Sequence, residues 1–67
     1  MTEPTALERL LTLCAANASL ADAYDRTAVD ADTPDERLLA NLQGRFHRGF
    51  AVGVAEAVRL LQQEAER

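Results

Sequence analysis

The sequence predicts an all-α fold in which a short helix and a long helix form an antiparallel hairpin within one domain, residues 1–67. Composition is the first reason. Hydrophobic residues make up 48% of the chain but aromatic residues only 4%, so much of the apolar content is alanine, the strongest helix former. Spacing is the second. Apolar residues recur at steps of three and four in two long segments, which is the period of amphipathic helices.

The first helix is predicted over about residues 3–24. Thr2 can cap its first free N–H groups, and Pro4 is tolerated in a first turn. The apolar arc of this helix covers about half of its circumference, more than the ordinary arc of about 100°. An arc this wide indicates contact with two neighbours, and it contains Leu7, Leu10, Leu11, Leu13, Cys14, Ala18, Leu20, Ala21 and Tyr24.

Asn17 lies inside this apolar arc. A buried asparagine can fix the register of helix pairing by hydrogen bonding to a partner. The alternative is a break near Asn17, after which Ser19 would cap a second short segment.

The next stretch, residues 25–33, has no helical period and carries three aspartates, so it is predicted to be a solvated connector. Asp30 and Asp32 alternate as in a calcium loop, but the glycine and the distal glutamate of such a loop are missing. No metal site is therefore predicted.

The motif Thr33-Pro34-Asp35-Glu36 begins the second helix, predicted over about residues 34–66. Thr33 can cap the helix, and Pro34 fits the first helical position, where its missing N–H has no partner to lose. Glu36 can reach back to the N–H of Thr33 and close a capping box. The apolar stripe of this helix contains Leu39, Leu42, Phe46, Phe50, Gly53, Ala57, Leu60 and Leu61.

Three glycines lie within the predicted long helix: Gly44, Gly49 and Gly53. The apolar stripe crosses them without losing phase, which favours one continuous helix. A break at Gly44, giving a three-helix chain, is the alternative, because each glycine costs up to about 1 kcal/mol relative to alanine. Gly49, Gly53 and Ala57 are spaced four apart, a spacing that lets another helix backbone approach closely.

The unequal helix lengths predict a second chain. With a connector over residues 25–33, Leu7 would lie level with residues 52–54, and residues from about Ala55 onward would have no cover from their own chain. A second copy is the simplest cover, giving a dimeric four-helix bundle. The predicted interface contains Leu13, Asn17, Leu20, Phe46, Gly49, Phe50, Gly53, Ala57, Leu60 and Leu61.

Three arginines, Arg37, Arg45 and Arg48, fall roughly opposite the apolar stripe of the long helix. Their guanidinium groups are candidates for binding a phosphate, a carboxylate or an acidic partner, and the alternative is an ordinary solvated face. His47, the single histidine, lies on the flank and is interpreted as a packed helix residue. Cys14, the single cysteine, is interpreted as an inert buried thiol.

The net charge of −4 makes nucleic-acid binding by the chain as a whole unfavourable. All seven basic residues are arginine, which together with the alanine content is typical of GC-rich coding and of short bacterial helical proteins. No apolar run approaches the roughly 20 residues that span a bilayer. A lone cysteine and the absence of a signal-like N-terminus favour a cytoplasmic setting.

No catalytic, cofactor-binding or metal-binding motif is present in the sequence. The leading prediction is a non-enzymatic helical interaction module that binds itself or another helical protein, as an adaptor, a regulator or a small assembly subunit. The second is a regulator linked to an anion or to nucleic acid through Arg37, Arg45 and Arg48. The third is a small enzyme whose site forms between subunits.

Overall fold

The computed structural model describes Glu3 and residues 5–66, and it contains two helices. Helix α1 runs over Ala6–Asp30 and helix α2 over Pro34–Ala65. They pack side by side as an antiparallel hairpin, which confirms the predicted all-α hairpin. Helix α2 passes through Gly44 without interruption, so the described chain has two helices and not the three of the alternative prediction.

Thr5 caps the N-terminus of α1, since its Oγ1 accepts a hydrogen bond from the N–H of Glu8 at 3.1 Å. The cap predicted at Thr2 lies outside the described residues. No break occurs at Asn17 or Ser19, because α1 continues through both.

The predicted end of the first helix at Tyr24 is wrong, because α1 continues to Asp30. The connector is therefore residues 31–33 and not residues 25–33. Tertiary contacts explain the extra turns. Ala28 is buried in the hairpin, and Asp25 binds Arg48 of α2, so packing stabilises a segment whose own helical period is weak.

Helix α2 begins as the sequence predicts, with Pro34 in its first turn and the Oγ1 of Thr33 accepting from the N–H of Glu36 at 3.2 Å. The reciprocal bond differs from the predicted capping box. The Glu36 carboxylate accepts from the N–H of Asp32 at 3.3 Å, one residue before the expected donor. These two hydrogen bonds help to hold the short connector.

Replacing Thr33 with alanine is expected to lower the free energy of unfolding by about 1 kcal/mol, because one N–H of α2 loses its acceptor. Thr12→Ala is the matched control, since its hydroxyl bonds a carbonyl within α1 and caps nothing. Urea unfolding at one fixed protein concentration measures both. Equal effects of the two substitutions would contradict the role of Thr33 as a cap.

Small residues form the contact between the two helices. The buried residues are Ala21, Ala28, Ala40, Gly44, Ala51 and Val58. Several follow a seven-residue step, which links Cys14, Ala21 and Ala28 on α1 and Gly44, Ala51 and Val58 on α2. A strict seven-residue step keeps one seam facing the partner helix over many turns. We call this contact the small-residue seam.

Two contacts fix the register of the hairpin. The Sγ of Cys14 donates to the carbonyl of Ala51, and Asn17 bonds His47. Cys14 lies level with Ala51, so seven residues earlier on α1 and seven residues later on α2 Leu7 lies level with Val58. The prediction had placed Leu7 level with residues 52–54. The error follows from the connector, because α1 is six residues longer at its C-terminal end than expected.

The corrected register changes the reason why the end of α2 is exposed. Residues up to about Leu60 have α1 beside them, so the expectation that cover ends near Ala55 is wrong. Ala57, Leu60 and Leu61 are nevertheless exposed. They are exposed because they point away from the small-residue seam, not because α1 is too short.

The hairpin is a single layer, measuring 51 × 29 × 11 Å. Its radius of gyration is 15.5 Å, whereas a compact chain of this length has about 11 Å. Stable domains normally bury the apolar side of one layer against a second layer. Here most large apolar side chains remain exposed: Leu11, Leu13, Leu20, Val29, Leu38, Leu39, Leu42, Phe46, Phe50, Val52, Leu60 and Leu61.

Candidate interaction surface

One broad side of the hairpin is apolar. At 100° per residue, one set of residues falls about 60–180° from the small-residue seam, on the side away from Arg48. Both helices contribute to this set. The ion pairs of Arg48 with Asp22 and Asp25 lie on the opposite side of the hairpin. We call this set the apolar face: Leu13, Leu20, Leu39, Leu42, Phe46, Phe50, Gly53, Ala57, Leu60 and Leu61.

The exposed area of the chain is large for its mass. The chain exposes 5320 Å², whereas a compact monomer of 7.3 kDa exposes about 4,200 Å². The excess of roughly 1,100 Å² exceeds the ~800 Å² that each partner buries in an interface of standard size. A contiguous apolar patch of several hundred Å² typically marks an interaction site.

Eight of the ten predicted interface residues lie on the apolar face: Leu13, Leu20, Phe46, Phe50, Gly53, Ala57, Leu60 and Leu61. Gly49 lies about 165° from the seam on the side of Arg48, just beyond the edge of the face. Leu39 and Leu42 belong to the face but were absent from the predicted interface. They could have been included, since they continue the same stripe at three- and four-residue steps.

Asn17, the tenth residue of the predicted interface, lies inside the hairpin. Its Nδ2 donates to the carbonyl of Leu13 at 2.9 Å, which leaves Oδ1 as the acceptor facing Nδ1 of His47 at 2.8 Å. An amide oxygen can only accept, so Nδ1 of His47 is the donor in this hydrogen bond. Asn17 has the register-fixing partner that the sequence suggests, but this partner belongs to the same chain.

His47 is packed between the helices, as interpreted from the sequence, although it lies in the seam and not on the flank. Its ring stacks on Tyr24 with centroids 5.5 Å apart and planes within 5°. Phe46 meets the ring edge-on at 5.2 Å. These contacts link the small-residue seam to the apolar face, since Phe46 belongs to that face.

The close approach of the two helices occurs at Gly44. A Cβ at this position would lie 3.0 Å from Oδ1 of Asp25 and 3.5 Å from Cβ of Tyr24. A Cβ at Gly49 or Gly53 would meet no described atom within 4 Å. The residue predicted as a possible break is thus a point of close packing between the two helices.

Arg48, one of the three candidate anion-binding arginines, is occupied by α1. It donates to Asp25 at 2.6 Å and to Asp22 at 3.4 Å, and the hydrogen bond with Asp25 followed by its charge raises the pKa of Arg48. All three side chains are about half exposed or more, so the contact is weakened by salt. Arg37 and Arg45 are exposed and form no ion pair with other described residues.

Glu56 and Arg59 form an ion pair, since residues three apart on a helix are neighbours on its surface. The Nε of Arg59 donates to Oε2 of Glu56 at 3.0 Å. This hydrogen bond lowers the pKa of Glu56 and raises the pKa of Arg59. Because the folded pKa of Glu56 is lowered, its contribution to stability is present above its ordinary pKa and is lost as the pH falls through the lowered value.

Cys14 is half buried in the seam, where its thiol contacts the carbonyl of Ala51 at 3.4 Å. Its neighbour one turn on, Asn17, is hydrogen bonded to His47. Within residues 5–66 and Glu3, no three histidine, cysteine or carboxylate residues are grouped as metal ligands. Neither α1 nor α2 is long and apolar enough to cross a membrane.

A concavity with a volume of about 600 Å³ lies at the connector end. Its polar lining includes Arg26, Asp30, Asp32 and Glu36. It is an open groove between the helix ends and contains no histidine or cysteine. No family model, no curated protein and no solved structure matches the chain.

Proposed function

We propose that this chain is a non-enzymatic helical module that works by self-association, as an adaptor, a regulator or a small assembly subunit. The observation that carries the proposal is the apolar face. It extends along both helices of a single-layer hairpin and has no covering layer among the residues that the structure describes.

The composition of the small-residue seam supports the same proposal. The buried side chains are alanines and one valine, and no large side chain is fully buried among the described residues. Burial stabilises by about 25 cal/mol per Å², so small side chains contribute little each. The leucines and phenylalanines contribute fully only when a second molecule covers them.

The alternative proposals have less support. An anion site built on Arg37, Arg45 and Arg48 would have to compete with Asp22 and Asp25 for the guanidinium of Arg48. An enzyme would need a group of reactive side chains, and His47 is engaged by Asn17 and Tyr24 in the seam. The free thiol of Cys14 is consistent with a reducing compartment such as the cytoplasm.

Sedimentation equilibrium between about 1 and 100 μM tests self-association, and the expected mass is twice 7.3 kDa. The melting temperature should rise with protein concentration, because association stabilises only the folded state. A monomer that melts cooperatively at one temperature over this whole concentration range would refute the proposal.

A further inference from the structure

We infer that the occupant of the apolar face is a second copy of the chain, stacked so that the two connectors lie at opposite ends of the bundle. The inference rests on the proposed self-association and adds its geometry. In this arrangement α2 lies against α2 of the partner, antiparallel, and α1 lies against α1 of the partner.

The apolar residues of α2 are arranged symmetrically on either side of Arg48, so this face can pack against an antiparallel copy of itself. Phe46 and Phe50 each lie two residues from Arg48, one before it and one after it. Leu39 and Ala57 each lie nine residues from Arg48 in the same way. A two-fold axis at the level of Arg48 brings Phe46 against Phe50 of the partner subunit. In an isologous interface each such contact occurs twice, with the two roles exchanged.

Side-chain size follows the same axis. Leu42 and Gly53 are centred between His47 and Arg48, so each large Leu42 faces the partner's Gly53. Leu39 faces the partner's Ala57 in the same way. Large residues opposite small ones interdigitate as knobs and holes, which allows close packing of two helices.

Helix α1 gives the same level independently. Leu13 and Leu20, its two residues on the apolar face, are centred between Ala16 and Asn17. Asn17 lies level with His47, because the two side chains are hydrogen bonded. One axis near His47 and Arg48 therefore relates the apolar residues of both helices.

The other two-fold arrangement, with both connectors at the same end, fits less well. It would stack α2 against α1 of the partner. Leu60 and Leu61 meet no large apolar residue at their level in either arrangement, so the charges at the connector ends decide between the two. The arrangement with both connectors at the same end would bring together two connector ends that each carry Asp30, Asp32, Asp35 and Glu36. Like charges at close range disfavour this arrangement.

Spin-label distances in the full chain distinguish the two arrangements. A Cys14→Ser chain with Asp32→Cys carries one nitroxide in each connector. Connectors at opposite ends predict a separation of about 45–50 Å between labels, from 1.5 Å per residue on either side of the axis. Connectors at the same end predict a separation within about 30 Å, because one hairpin is 29 Å wide.

A label at Gly49→Cys in the same Cys14→Ser chain is the control. It lies near the axis, so both arrangements predict a short distance whenever the dimer forms. A dimer by sedimentation with a short distance at residue 32 would overturn the inferred arrangement and leave self-association intact. A monomer by sedimentation would overturn both.

The two open glycines provide a second readout. Gly53→Leu should weaken association by tenfold or more, because the partner's Leu42 occupies the space that the new side chain needs. Gly49→Leu, on the outer side of α2, should change the dissociation constant by less than threefold. Adding Leu42→Ala to Gly53→Leu should restore affinity, and equal effects of the two glycine substitutions would overturn the arrangement.

Discussion

Replacing Phe46 with glutamate is expected to raise the dissociation constant of the self-associated form at least a hundredfold. Phe46 is 66% exposed in the single chain and lies near the centre of the apolar face. Burial of a phenylalanine contributes about 1.5–3 kcal/mol, and the new carboxylate would have to be buried without a partner. A symmetric dimer loses both copies of the contact, so about 3 kcal/mol, or more than a hundredfold, is the minimum expected loss.

Val52→Glu is the control for this substitution. Val52 is 65% exposed, matching Phe46, but it lies on the side of α2 that carries Arg48. Both variants add one negative charge to the same helix, so net charge and helix content change alike. Sedimentation equilibrium measures association and circular dichroism measures helicity. Equal dissociation in the two variants would show that the apolar face is not the contact.

Replacing Gly44 with leucine is expected to lower the free energy of unfolding by about 2 kcal/mol or more. The first added carbon already lies 3.0 Å from Asp25 and 3.5 Å from Tyr24, so the remaining carbons must separate the helices. The separation also disturbs the contact of Asp25 with Arg48 and the stacking of Tyr24 on His47. The better helix propensity of leucine offsets at most about 1 kcal/mol of this loss.

Gly49→Leu is the control for the seam substitution, because a Cβ there meets no described atom within 4 Å. It is expected to be neutral or to stabilise by up to about 1 kcal/mol through helix propensity alone. Urea unfolding of both variants at one protein concentration makes the comparison. A Gly44→Leu chain as stable as Gly49→Leu would refute the close approach at Gly44.

Local signals in the sequence predict the helices well. The Thr33 cap, Pro34 and the phase of the stripe through Gly44, Gly49 and Gly53 depend only on neighbouring residues, and the structure has each of them. The C-terminal end of α1 could not be predicted from local signals. Residues 25–30 are helical because Ala28 and Asp25 have partners on α2, which a local period does not reveal.

The candidate surface was predicted for a partly wrong reason. The stripe of leucines and phenylalanines is the strongest apolar signal in α2, but it does not face α1. Helix α1 packs about 100° away, on Gly44, Ala51 and Val58, whose small side chains give a weak signal in any hydrophobic pattern. Only the seven-residue spacing of these residues, matched by Cys14, Ala21 and Ala28, could have revealed the seam.

The small-residue seam has a consequence for how this chain can change during evolution. At Ala21, Ala40, Gly44 and Ala51, selection acts on volume, so exchange among glycine, alanine and serine preserves the hairpin and any larger residue separates the helices. On the apolar face many combinations of leucine, isoleucine, methionine and phenylalanine fill an interface equally well. Descendants of this chain should therefore diverge in their large residues while keeping the periodic pattern of their smallest ones.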